Sequence, residues 1–205
     1  MKNKIGIIYY GTGNIGSVYR TLKKLNCDIK IIKNPNDIDS CSKIILPGVG
    51  SFQTAMKSLS QSKLDKKILT FYKSGKNIFA ICLGMQILFN KSSEDSQFKG
   101  LKILPGDVIK IKKKKIPLPH IGWNKIICKN KKKFENLLNN KLFYFAHSHT
   151  CVIRKKKINK YFFEYENKKY ISALNNDNLY ATQFHPELSG INGLNLLEYF
   201  VNKND

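Results

Sequence analysis

An apolar run that ends in a cysteine and a glycine constrains this chain more than any other feature. It reads Asn77-Ile78-Phe79-Ala80-Ile81-Cys82-Leu83-Gly84-Met85-Gln86-Ile87-Leu88-Phe89. The opening of the run has the length and β-branched content of a strand, and its end is compatible with a helix. A strand that passes into a helix through one reactive side chain follows the logic of a nucleophile elbow. There a sharp turn lifts the side chain out of the sheet, and a small residue allows close approach. At a helix start, unpaired N–H groups and the helix dipole favour a thiolate. The same N–H groups can stabilise the oxyanion formed when a thiolate attacks a carbonyl. Free cysteines are more often buried and inert, so the catalytic reading needs a base elsewhere in the chain.

A candidate base stands near the end, in Leu179-Tyr180-Ala181-Thr182-Gln183-Phe184-His185-Pro186-Glu187. Pro186 is expected to hold the backbone extended, where residues two apart share a side. His185 and Glu187 can then converge, and the carboxylate would fix the tautomer and orientation of the imidazole. Nucleophile, base and orienter follow in the order Cys82, His185, Glu187.

The alternation of elements points to an α/β fold with a doubly wound, mostly parallel sheet. Strands are expected at residues 4–9, 28–32, 43–46 and 77–81, with helices between them: one that residues 20–26 complete, one after Ser51 that carries Ala55, Met56 and Leu59, and one at 64–74. Ser51 is a plausible N-cap and Gly75 a suitable C-cap. From 101 to 170 the pattern changes to short strands and lysine-rich turns, an antiparallel extension of one domain spanning 1–205. Residues 191–202 read as a closing helix. Gly11-Thr12-Gly13-Asn14-Ile15-Gly16 matches the dinucleotide fingerprint G-x-G-x-x-G. That fingerprint also requires an acid at the end of strand two, and the chain has Lys33-Asn34 there. The loop therefore reads as a tight strand–helix junction.

The net charge of +22 needs weighing, since basic clusters attract nucleic acid through counterion release. Clusters at 110–115, 129–133 and 154–157 lack interleaved aromatics, and no nucleic-acid-binding motif accompanies them. They read as solvated lysine-rich turns, not a nucleic-acid site. No apolar run approaches the roughly 18–20 residues that span a bilayer, so no membrane association is expected. Cys27, Cys41, Cys82, Cys128 and Cys151 are odd in number and show no CxxC spacing. That argues against a disulfide framework and a zinc site, and fits a reducing cytoplasm entered without a cleavable signal.

Pro47-Gly48-Val49-Gly50, Cys82-Leu83-Gly84-Met85-Gln86 and His185-Pro186-Glu187 resemble the three signatures of class I, triad-type glutamine amidotransferases. Pro117-Leu118-Pro119-His120-Ile121-Gly122-Trp123-Asn124 and Tyr10-Gly11-Thr12-Gly13-Asn14 narrow the resemblance to glutaminase subunits of imidazole glycerol phosphate synthase. The resemblance covers nearly the whole chain. It implies a flavodoxin-like fold, no cofactor or metal, and an oxyanion hole made by the N–H groups of Val49 and Leu83. It implies that Gly50, Gln86, Glu94, Ser148 and His149 surround the glutamine substrate, Glu94 at its α-amino group and residues 147–149 at its carboxylate. It places Asn14, Trp123 and Asn124 against a (β/α)₈-barrel cyclase subunit in a heterodimer. Ammonia released from glutamine would cross to that cyclase in histidine biosynthesis. Three positions depart from the family pattern: Tyr9 replaces a common acid, His149 a usual tyrosine, and Leu188 a basic residue that normally meets the partner. Leu188 leaves open a paralogue that feeds ammonia to a sugar amidotransferase. A basic binding protein without activity, or a cysteine hydrolase or protease of similar fold, would be a more distant reading.

Overall fold

A computed structural model describes residues 4–11, 14–112, 118–128, 132–154 and 158–203, the side chains of 95–97 excepted. The parallel core is built from β1 (Lys4–Ile8), β2 (Asp28–Ile32), β3 (Lys43–Leu46), β4 (Asn77–Ile81) and β13 (Leu179–Thr182). These pair in the order β2-β1-β3-β4-β13, all parallel. Strand residues point alternately to opposite faces, and here both faces are apolar. Ile44, Leu46, Ile78 and Ala80 pack on one side with α2 (Phe52–Gln61) and α3 (Leu64–Lys73), through Phe52, Leu59, Leu64 and Ile68. Ile5, Ile7, Ile45, Phe79 and Ile81 pack on the other with α1 (Ile15–Lys24) and α6 (Gly190–Asn202), through Val18, Leu22, Leu196 and Phe200. Helices on both faces of a parallel sheet are what such two-sided strands require.

The same sheet continues antiparallel beyond β13 through β12 (Lys168–Asn175), β11 (Asn159–Tyr165), β8 (His120–Ile127) and β9 (Lys141–His147). A separate four-stranded sheet has the order β10-β7-β5-β6, from β5 (Lys91–Ser92), β6 (Asp95–Lys99), β7 (Gly106–Lys110) and β10 (His149–Ile153). The doubly wound architecture and its antiparallel extension are as expected; the second sheet is not. Two-residue β5 carries no periodicity that a sequence could display.

Two local expectations need correction. Ser51 does cap α2, accepting a bond from Thr54 N, and Gly75 follows α3 with φ +83°. The helix after Cys82, however, is only α4 (Leu83–Gln86). The carbonyls of Ile87, Leu88 and Phe89 accept from Leu101, Leu104 and Lys102, so they leave the helical ladder for the next loop. Pro186 also does not extend the chain; Pro186–Leu188 is a 3₁₀ turn. Thr12 and Gly13 of the glycine loop, Pro117, and parts of all three lysine clusters lie outside the described residues. Among the described residues no helix is long and apolar enough to cross a membrane.

Candidate active site

Cys82 follows the last residue of β4, between the ends of β3 and β13. Its backbone is strained, with φ 48° and ψ −103°, a region that costs a non-glycine residue of order 1–3 kcal/mol. The strain is held from both sides: Cys82 N donates to Thr182 O at 2.6 Å, and Cys82 O accepts from Gln86 N at 3.1 Å. Two glycines make the turn possible. A Cβ on Gly84 would lie 2.2 Å from Leu46 O, and one on Gly48 would lie 1.7 Å from Ile81 O. The sulfur faces a cleft of ≈ 290 Å³ bordered by Gly48, Val49, Gly50, Leu83, Gln86, Glu94, Ser148, His149 and His185. These include every residue that the sequence suggested for the oxyanion hole and the substrate.

His185 enters from the C-terminal end of β13. Its N–H donates to Tyr144 O, and its carbonyl accepts from Ser189 Oγ, which in turn accepts from Tyr144 N. Its Nδ1 lies 2.8 Å from Glu187 Oε1, and both side chains are at most 2% exposed. Burial alone would drive the proton off this imidazole. Hydrogen bonds to the Cys82 sulfur and to Glu187 overcome that, and the His185 pKa is raised to about 10. The 3₁₀ turn brings base and carboxylate together by a different backbone route from the extended one expected.

The groups expected to surround the substrate are placed as follows. Glu94 Oε2 accepts from the backbone N–H of Phe52, the first residue of α2. Burial lowers the pKa of His149, and the Glu94 charge opposes that shift. Ser148 O accepts from Ile111 N, which pins the β9–β10 turn. Gly50 has φ +121°, and Val49 is 42% exposed at the cleft rim.

The residues expected to face a partner lie on separate elements, Asn14 before α1 and Trp123 and Asn124 on β8. Asn14 caps α1, accepting from Ser17 N. Trp123 is 52% exposed and packs edge-to-face on Tyr144. Asn124 Nδ2 donates to Glu164 O.

Several groups at the site were not singled out from sequence. The Tyr10 hydroxyl, fully buried, donates to Pro47 O at the start of the glycine segment. His120 connects Asn124, 2.7 Å from its Nε2, to His147, 3.4 Å from its Nδ1; His147 Nδ1 in turn donates to His149 O. Burial pushes the His147 pKa down to about 3, so it stays neutral. Gln183 lies beneath Cys82 with no exposed surface. Tyr10, His120 and His147 lie within stretches already noted in the sequence, but their contacts were not legible there, because each meets a partner from a distant segment of the chain.

A larger cleft of ≈ 540 Å³ lies between β8 and β11. It holds Cys128, but burial and the nearby Glu135 charge push that thiol up to about 11, and no histidine borders it. Of these two clefts, only the smaller brings cysteine and histidine together among the described residues.

An elbow cysteine, a histidine–carboxylate pair and a glycine-rich strand at one edge of a doubly wound sheet define a class. This chain belongs to the class I glutamine amidotransferases: the family described as Glutamine amidotransferase class-I matches residues 7–203. Among curated proteins, it is 42% identical over 204 residues to the imidazole glycerol phosphate synthase subunit HisH of Methanocaldococcus jannaschii, covering 96% of this chain and 98% of the relative. It is 39% identical over 199 residues to the subunit of the same name from Pyrococcus furiosus, covering 97% and 98%. Among solved structures, one described as a glutamine amidotransferase superposes with TM-score 0.77 at 15% identity, covering 96% of this chain and 97% of that one. PurLQS from Thermotoga maritima superposes with TM-score 0.73 at 21% identity, covering 98% and 99%. At those identities the two structures speak for the fold alone.

Proposed function

We propose that this chain is the glutaminase subunit of an imidazole glycerol phosphate synthase. It hydrolyses glutamine to glutamate and passes ammonia to a cyclase partner. The observation that carries the reading is the buried Cys82–His185–Glu187 array at the cleft, in a chain similar along its length to proteins of that name.

The Cys82 sulfur attacks the side-chain amide carbon of glutamine, and the N–H groups of Val49 and Leu83 stabilise the tetrahedral oxyanion. His185, protonated in the resting site, delivers its proton to the departing nitrogen, and ammonia leaves as the C–N bond breaks. Water then attacks the thioester, with His185 taking its proton; glutamate departs and the sulfur is regenerated. Glu187 keeps His185 in register throughout. Glu94 receives the α-amino group of glutamine, and Ser148 with the backbone of 147–149 receives its carboxylate, while Gly50, Gln86 and His149 complete the walls. The work is done in the cytoplasm by one domain, without cofactor.

The partner is a (β/α)₈-barrel cyclase that docks in a heterodimer on a surface that includes Asn14, Trp123 and Asn124. There ammonia converts the phosphoribulosyl-formimino intermediate to imidazole glycerol phosphate and aminoimidazole carboxamide ribotide, a step of histidine biosynthesis. Co-purification with the partner, followed by a glutamine-dependent product assay, tests the whole reading. Wild-type complex should form both products from glutamine. Cys82→Ser complex should form them only from added ammonia. Glutamine hydrolysis by Cys82→Ser at wild-type rates would overturn the nucleophile, and a sugar amidotransferase as the co-purified partner would overturn the acceptor.

A further inference from the structure

Gln183 meets the nucleophile from the side opposite to solvent. Its Nε2 lies 3.4 Å from Cys82 Sγ, within hydrogen-bond reach for sulfur. Its Oε1 accepts from Gln86 Nε2 at 3.3 Å. The second contact fixes the first: an amide oxygen that receives a donor from Gln86 must turn its N–H group toward the sulfur. Gln183 has no water to exchange with, since it is 0% exposed, and Gln86 is only 6% exposed. The backbone leaves Gln183 no alternative position. Its N–H donates to Ser172 O on β12 at 2.8 Å, and the neighbouring Cys82 N donates to Thr182 O.

We propose that Gln183 is a catalytic residue whose side-chain N–H stabilises the Cys82 thiolate, with Gln86 as the positioning residue that orients the amide. The inference rests on Cys82 being the nucleophile. A thiolate at a largely buried position, as Cys82 is at 6% exposure, needs donors, since burial without them disfavours the charged form. His185 is one donor, but it gives its proton away during the cycle. Gln183 cannot, so it is the donor that persists while His185 is neutral. Its N–H is most valuable when the sulfur is an anion and less so when the sulfur is a thioester, and it therefore favours return of the free thiolate after deacylation.

The test is the pH dependence of Cys82 alkylation by iodoacetamide in the complex with the partner, read by mass spectrometry on the peptide that contains Cys82. Gln183→Met keeps the length and removes the donor. A hydrogen bond to a charged group lost in this way should move the midpoint of alkylation up by about 1–2 pH units. Gln183→Glu keeps the shape and places a second anion beside the sulfur, so it should move the midpoint up further. In both, kcat for glutamine should fall at pH 7 while KM changes little. A third measurement needs no variant: in the wild-type chain, the Nε2 proton resonance of Gln183 should move downfield across the alkylation midpoint. An unmoved midpoint in folded Gln183→Met and Gln183→Glu, or a Gln183 resonance indifferent to that titration, would reduce Gln183 to packing. Failure of the nucleophile itself would look different, because Cys82→Ser would then retain glutaminase activity.

Discussion

Glu187 Oε1 sits 2.8 Å from His185 Nδ1, and neither side chain reaches solvent. The carboxylate favours the charged form of His185, and in the proposed mechanism it orients the base without itself transferring the proton. Glu187→Gln should therefore be milder than His185→Ala. Losses from a misoriented triad histidine can still reach about 10⁴-fold in kcat. Steady-state glutaminase assays of both variants check the ranking. Negligible loss in both would remove the triad from the mechanism.

The same pair predicts how stability depends on pH. The His185 pKa is raised from 6.5 to about 10 in the fold. A group that holds its proton more tightly when folded stabilises the fold fully below its unfolded pKa. That contribution fades as pH rises through the folded value. The difference in urea midpoint between wild type and His185→Gln should thus be largest below pH 6.5 and shrink toward pH 10. A difference that grows with pH over this window would reverse the sign of the interaction.

Gly84→Ala tests the elbow by sterics alone. The added Cβ would lie 2.2 Å from the Leu46 carbonyl oxygen, which is backbone and cannot swing aside. Strand β3 or the elbow must shift, at a cost of about 1–3 kcal/mol for overpacking of this kind. A lower urea midpoint and a large loss in kcat are expected. Wild-type values for both would mean that the elbow is looser than its contacts imply.

The elbow was legible because strand, cysteine and glycine are contiguous, and the two-sided apolar strands announced the doubly wound sheet. His185 and Glu187 were legible as a pair two residues apart, although their backbone is a turn and not an extension. Gln183 was not legible, though it lies in the same nine-residue stretch. Its neighbour is decided by the parallel pairing of β13 with β4, which aligns Thr182 with Ile81 and so sets residue 183 below Cys82. The contact between His120 and His147 was hidden for the same reason, since they meet through the register of β8 with β9. The end of α4 was not legible because donors 13–16 residues downstream, not local propensity, take the carbonyls that would continue the helix.

Trp123 should anchor the partner. It is 52% exposed and braced by Tyr144, with Ile121 at 62% and Leu188 at 40% exposure as further apolar surface. Interface hot spots are enriched in tryptophan and cost at least about 2 kcal/mol when truncated, roughly thirtyfold in Kd. Titration calorimetry of Trp123→Ala against the cyclase should show a loss of at least that size. An unchanged Kd would move the docking face elsewhere.

The last prediction concerns coupling between the subunits. Pro47 is anchored by the Tyr10 hydroxyl, while Gly48 and Gly50 leave the intervening peptides free of Cβ restraint, with Gly50 at φ +121°. The Val49 N–H can therefore point toward or away from the cleft, and only one orientation completes the oxyanion hole. A missing oxyanion donor costs roughly 10²–10³-fold in turnover. If the isolated chain rests with Val49 turned away, partner and acceptor together should raise glutaminase activity by at least that factor. A ligand shifts such an equilibrium only by binding the two states differently, so the partner must favour the completed hole. It can do so through Val49 itself, which is 42% exposed, and through the loop that carries Tyr10 and leads to Asn14. Glutaminase assays of the chain alone, with partner, and with partner plus acceptor supply the measurement. Tyr10→Phe, which releases Pro47 O, should raise the activity of the isolated chain and narrow the gap. Full activity in the isolated wild-type chain would sink the gating idea and leave the triad standing.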